Sequence, residues 1–193
     1  MGAIDYPSAE GSNLLESLMT DWDDILKRDG PSAWKTAWRV LGNRADADEC
    51  FQEACLAAFE YSRTQEVRNW RALLQRMANA KAVDRLRLRI RQRPRELVLP
   101  EKQLMSSDPV PETQAENQEM AAKLRASLGH LPAQQAEIFC LFYFEGWSYR
   151  EIAGNFGIST DLAGVWLGRA RNQLRELLRA GKQTLKEVPH EQS

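Results

Sequence analysis

Residues 131–178, LPAQQAEIFCLFYFEGWSYREIAGNFGISTDLAGVWLGRARNQLRELL, decide the fold. They read as three helices separated by two breaks. Pro132 suits a first helical turn, where its missing N–H has no intrahelical partner to lose. Ile138, Phe139, Leu141, Phe142 and Tyr143 then make a strongly apolar segment that Glu145-Gly146 ends. Ser148, followed three residues later by Glu151, is a capping box in which each side chain satisfies an otherwise orphaned backbone donor. Ile152, Ala153 and Phe156 form the stripe of that short helix. Gly157 offers the positive φ of a tight turn, and Ser159 caps a third helix. Leu162, Val165, Leu174, Leu177 and Leu178 read as the core stripe of the third helix. Two short helices joined through a Gly-containing turn are the helix-turn-helix pattern, whose second helix can lie in a DNA major groove. A plain helical hairpin is the competing reading. The capping box, Glu-Ile-Ala, Gly-Ile-Ser and Arg169-Ala170-Arg171, all at fixed spacing, favour DNA.

Working outward, the 193 residues carry a formal net charge of −1 that conceals strong segregation. Residues 1–60 hold twelve acids against five bases, and residues 67–95 hold ten bases against Asp84 alone. Such asymmetry points to two different partner surfaces. No apolar run approaches the roughly 18 residues of a spanning helix. The acidic N-terminus also lacks a signal peptide's basic start, so a cytoplasmic protein is expected. Cys50, Cys55 and Cys140 lie on apolar helix faces, and their odd number argues against a disulfide framework. His130 and His190 stand far from any Cys pair, so neither a metal nor a cofactor is expected.

The N-terminal half also reads as helices. Residues 1–20 look loose. Trp22, Ile25 and Leu26 suggest a short helix stopped by Asp29-Gly30-Pro31, after which Ser32 caps another with Trp34, Ala37, Trp38 and Leu41 on one core face. From about Asp46 to Tyr61, Ala47, Phe51, Ala54, Cys55, Ala58 and Phe59 face inward. Asp48, Glu49, Gln52 and Glu53 lie opposite. By spacing alone that is a solvated acidic face near a helix N-terminus, where carboxylates are favoured; a docking patch for a basic partner is the sharper alternative. A basic helix follows over about Val67 to Ile90, with Trp70, Leu73, Leu74, Met77, Ala80 and Val83 on its stripe. Arg68, Arg71, Arg76, Lys81, Arg85, Arg87, Arg89 and Arg91 point elsewhere, a density suited to phosphate. The expected organisation is all-α: a helical domain at 21–95, a flexible linker at 96–118 rich in Pro, Ser and acids, a helix-turn-helix domain at 119–180 and a tail at 181–193.

Both halves resemble bacterial RNA polymerase sigma factors of the extracytoplasmic-function type. The first resemblance rests on Gly42-Asn43, Asp46-Ala47-Asp48-Glu49, Gln52-Glu53, Trp70, Arg76-Met77-Ala78 and Ala82-Val83-Asp84 with Arg87. The second rests on Leu131-Pro132, Phe139, Leu141, Ser148, Glu151-Ile152-Ala153, Gly157-Ile158-Ser159, Arg169-Ala170-Arg171 and Leu174-Arg175. The resemblance implies a subunit that brings RNA polymerase core to promoter DNA and begins its opening. Asp48, Glu49, Gln52 and Glu53 would then dock on the clamp helices of the largest polymerase subunit. Arg63, Arg76, Asn79, Lys81, Arg85 and Arg87 would hold the melted downstream element, one base lodging in a pocket rimmed by residues 63–66. Ser148, Arg150, Ser159, Thr160, Asp161, Trp166 and Arg169 would meet the upstream duplex. Family members are often held by an anti-sigma protein, which is a further implied partner.

Two departures from the family pattern bear on these roles. The family's usual Asn falls at Ala80, and Asn79 occupies the preceding position; one helical step rotates a side chain by about 100°. The recognition positions fall at Ala163, Gly164, Val165 and Trp166, which lack a charged group for bidentate guanine contacts. Two other classes fit the sequence less well. A stand-alone helix-turn-helix regulator leaves the basic helix without a purpose. A nucleic-acid enzyme lacks a constellation, because Asp48 and Glu49, adjacent on a helix, diverge.

Overall fold

The computed structural model describes residues 10–92 and 112–184, with side chains over 21–92 and 117–180. Seven helices occur among them: α1 (Glu10–Leu41), α2 (Arg44–Ser62), α3 (Trp70–Gln92), α4 (Glu112–Leu128), α5 (Ala133–Glu145), α6 (Tyr149–Phe156) and α7 (Thr160–Thr184). The described residues contain no strand. The first three helices make one bundle, the last four a second, and α3 packs against both.

In the first bundle the contact is built from small side chains that let helices approach closely. Ala33 and Ala37 of α1, Ala47, Ala54 and Ala58 of α2, and Ala78 and Ala82 of α3 are all fully buried, filled in by Val40, Leu74 and Val83. Asn43 caps α2 by accepting from the Asp46 N–H at 3.1 Å. Trp22 meets Phe59 and Trp70 edge-on at 5.5 and 5.3 Å, closing the far end with the favoured aromatic geometry.

The break expected at Asp29-Gly30-Pro31 does not occur. α1 runs through it with Pro31 inside. Proline forfeits one backbone hydrogen bond there. Beside it the Ser32 hydroxyl donates to the Asp29 carbonyl at 2.9 Å. Gly30 also admits the Phe51 ring, since a Cβ there would stand 3.2 Å from Phe51 Cζ. The buried stripe of α1 follows Pro31, with Ile25 and Leu26 half-buried before it. That stripe is Ala33, Ala37, Val40 and Leu41, and the expected tryptophans lie at its rim: Trp38 is exposed, and Trp34 is half-buried with its indole N–H donating to Asp48 at 2.6 Å.

The second bundle follows the expected three helices and two breaks. α5 ends at Gly146 (φ 73°) and α6 at Gly157 (φ 64°), both in the left-handed region glycine enters without strain. Ile138, Leu141, Ile152 and Leu167 are buried at their centre. α4 begins at Glu112, inside the stretch expected to be linker, and α7 continues four residues past the expected end at 180. Residues 10–20, expected to be loose, are instead the start of α1; the rest of that expected loose segment, 1–9, and the remainder of the linker, 96–111, lie outside the described residues.

Candidate nucleic-acid interface

The helix-turn-helix is set by its caps. The Ser148 Oγ accepts from the Glu151 N–H at 3.2 Å, and the Glu151 carboxylate accepts from the Ser148 N–H at 2.8 Å. The Ser148 N–H and then its hydroxyl, donating to the carboxylate at 2.8 and 2.7 Å, hold the Glu151 carboxyl below the usual carboxylate range. Ser159 opens α7 by accepting from the Leu162 N–H at 3.1 Å. Ser148, Arg150, Ser159, Thr160, Asp161 and Arg169 are all exposed, as an outward DNA-facing set requires. Trp166 is half-buried against the core.

The core stripe of α7 differs from the expected one. Ala163, Leu167, Ala170 and Leu174 are buried, whereas Leu162 and Val165 are 37% and 47% exposed. Alanines at 163 and 170 leave no side chain to fill a wide groove, so α7 sits close on its neighbours and turns its larger aliphatics outward. The outer face of its first turns is therefore Thr160, Asp161, Leu162 and Val165, with Arg169 a turn beyond.

In the N-terminal half the acidic and basic helices partly neutralise one another. Arg85 donates to Glu49 at 2.5 Å and stands 3.4 and 3.5 Å from Glu53 and Asp46. Lys81 pairs with Glu53 at 3.1 Å, and Arg89 pairs with Asp46. The Arg85 hydrogen bond, then its charge, lowers the Glu49 carboxyl below its ordinary range. The phosphate-binding density expected of α3 is thus partly engaged inside the bundle. Asp48 and Gln52 stay on the outer face of α2.

Asn79 is not on the surface at all. It is fully buried, its Nδ2 donating at 3.0 Å to the Glu137 backbone carbonyl of α5, and its Oδ1 is buried without a hydrogen-bond partner. Sequence reasoning placed only one apolar stripe on α3. The helix carries a wider band, Leu73, Leu74, Gln75, Ala78, Asn79, Ala82, Val83 and Leu86, because α1 and α2 take one side and the second bundle takes the other. Nearby, Arg76 lies over the Phe156 ring at 5.3 Å, a cation–π contact with α6. Gln75 donates to Glu145 at 3.1 Å. Arg39 of α1 donates to the same carboxylate at 3.0 Å and to the Phe144 carbonyl at 2.6 Å. Arg87 pairs with Asp84 at 3.9 Å, and Arg63 is exposed at the α2–α3 connector.

One surface feature escaped the sequence. Leu56 is 66% exposed, one turn beyond Gln52 on α2 and close in sequence to Phe59 and Tyr61, which are also exposed. The buried line of α2 is Ala47, Cys50, Ala54 and Ala58, which turns Phe59, expected inside, to the rim. The signal was present in the spacing: Gln52 and Leu56 share a face at i and i+4. No grouping of three or more His, Cys, Asp or Glu among the described residues has the arrangement to hold a metal ion, and no described helix is long and apolar enough to cross a membrane.

Residues 25–92 match the family model of sigma-70 region 2, and residues 121–174 match that of sigma-70 region 4. The chain is 27% identical over 163 residues to the ECF RNA polymerase sigma factor SigE of Mycolicibacterium smegmatis. That alignment takes in 84% of this chain and 63% of the relative, so the chain spans less than two thirds of that protein's length. Among solved structures it is similar in fold to the sigma factor RpoE in complex with the anti-sigma factor NepR from Bartonella quintana. There the TM-score is 0.51 at 20% identity, covering 82% of this chain and 97% of that one. It is likewise similar to CnrH in complex with the cytosolic domain of CnrY, with a TM-score of 0.54 at 22% identity, covering 84% and 90%.

Proposed function

This chain belongs to the sigma-70 family, in its extracytoplasmic-function branch, and on that premise we propose that it directs RNA polymerase core to promoters and begins DNA opening. The observation that carries this reading is the order of parts on one chain. A region 2 module with an acidic helix and a basic helix precedes a region 4 module with a capped helix-turn-helix. A stand-alone regulator needs only the second.

Each part then has a task. The outer face of α2, with Asp48, Glu49, Gln52 and Glu53 around the exposed Leu56, docks on the clamp helices of the largest polymerase subunit. An exposed aliphatic ringed by acids suits a basic, partly apolar partner surface. Arg63, Arg76, Asn79, Lys81, Arg85 and Arg87 hold the separated strand at the downstream element. The exposed edge of α6 and α7, with Ser148, Arg150, Ser159, Thr160, Asp161 and Arg169, meets the upstream duplex, Trp166 bracing it from beneath. The protein works in the cytoplasm by binding, and the bond-making chemistry belongs to the polymerase. An anti-sigma protein is a natural regulatory partner. The arginine-rimmed apolar groove of about 430 Å³ along α4, α5 and α7, which includes Met120, Tyr143 and Arg175, suits one of its helices.

The test is co-purification of tagged protein with core RNA polymerase from its own host, followed by transcription from host genomic fragments. Stoichiometric core binding with new start sites is the expected result. DNA binding without polymerase association would return the chain to the stand-alone regulators and the acidic helix to a solvated face.

A further inference from the structure

We propose that the C-terminal half is a built-in cover for the strand-opening face of α3, latched by α5 and required to lift before that face takes DNA. The inference rests on the promoter-opening role assigned to α3 above. The latch is a polar seam. Asn79 donates to the Glu137 carbonyl, Gln75 and Arg39 converge on Glu145, and Arg76 is spent on Phe156. Amide and guanidinium groups are the ones that bind bases and phosphates, so on α3 the same atoms serve closure or nucleic acid and not both.

Two further features mark the seam as one built to part. The Asn79 Oδ1 is buried without a partner, a standing cost that opening relieves. The halves also meet at Gly129, where an added Cβ would stand 2.3 Å from Ile90 Cδ1 and 3.2 Å from the Leu86 carbonyl oxygen of α3.

Glu137 makes the latch responsive to pH. Its side chain faces Asp84, Arg76 and Arg87 of α3, with Cys140 one turn along α5. Burial first, then the Asp84 charge, pushes its carboxyl up to about 7, the two arginines pulling the other way. Freed from the seam, the group returns toward its ordinary value of 4.5. A raised value means that the closed state favours the proton. The closing contribution is complete below the ordinary value and is lost as pH rises through about 7. The closed-to-open ratio should fall roughly ten-fold between pH 6 and pH 8.

The test uses the full chain, read by small-angle X-ray scattering and by binding of a short mixed-sequence single-stranded DNA. Circular dichroism checks that each variant keeps its helices. Wild type should expand on going from about pH 6 to pH 8, and Glu137→Gln, which fixes the neutral form, should stay compact throughout. Glu145→Ala and Gly129→Ala should be expanded at both pH values. They should bind the strand roughly five-fold tighter than Glu137→Gln at pH 8. Folded Glu145→Ala and Gly129→Ala proteins as compact at about pH 6 as wild type at that pH would overturn the latch, and so would expansion with no gain in strand affinity. Should no form bind DNA at all while scattering behaves as described, the promoter reading falls and the latch survives as a conformational switch.

Discussion

Arg85 of α3 and Glu49 of α2 meet at 2.5 Å, so the basic helix is fastened to the acidic helix by the very charges each would show a partner. Glu53 and Asp46 share the same guanidinium. Arg85→Ala should therefore act first on the bundle, lowering its melting temperature by roughly 4 °C. It should also change the acid response. A lowered Glu49 carboxyl contributes stability present above its ordinary 4.5 and lost as pH falls through the lowered value. Thermal melts between about pH 3 and pH 6 should fall less steeply for Arg85→Ala than for wild type.

Leu56 stands exposed beside Gln52 with no core neighbour to serve. A central aliphatic in a docking patch concentrates binding energy. Leu56→Glu should reduce core polymerase capture at least ten-fold while leaving the melting temperature within about 1 °C. Equal capture by wild type and variant would remove α2 from the docking surface.

The exposed aliphatics of α7 carry a prediction about base preference. Leu162 and Val165 project where a recognition helix meets base edges, and apolar side chains there contact the thymine methyl. Once a bound duplex is selected from random sequence, replacing its thymines by uracil removes only those methyls. Binding should weaken several-fold for wild type and stay level for Leu162→Ala combined with Val165→Ala. Arg169→Ala, in contrast, should reduce affinity for both duplexes alike and lower the salt slope by about one ion.

Ser148→Ala removes the hydroxyl arm of the capping box at the start of α6 and leaves the backbone N–H of residue 148 bonded to Glu151. The expected cost is about 1 kcal/mol, seen in denaturant unfolding of the full chain. Upstream-duplex binding should fall with it, because α6 positions the turn into α7. Ser148→Asp, an equally good cap, should restore stability but not contact with phosphates.

Local chemistry made most of the fold legible. The capping box and the glycine breaks at Gly146 and Gly157 are each written in a few adjacent residues, and each appears where sequence puts it. What escaped was decided by contacts far along the chain. α1 runs on through Pro31, and beside it Phe51, twenty-one positions away, packs on Gly30. The α7 stripe slipped because alanines at 163 and 170, which hydropathy barely weighs, are the residues its neighbours touch. Asn79 reads as a surface amide until α5, which begins more than fifty residues later, is laid over it.

α3 shows what that overlay means for sequence freedom. One flank of this helix is spent on α1 and α2, the other on the second bundle, and its Lys81, Arg85 and Arg89 pair with α2. Most of its turns answer to folding, closure and nucleic acid together. A substitution there has several masters, so substitutions that retune promoter choice are to be sought on the outer face of α7, where Leu162 and Val165 stand outside the core.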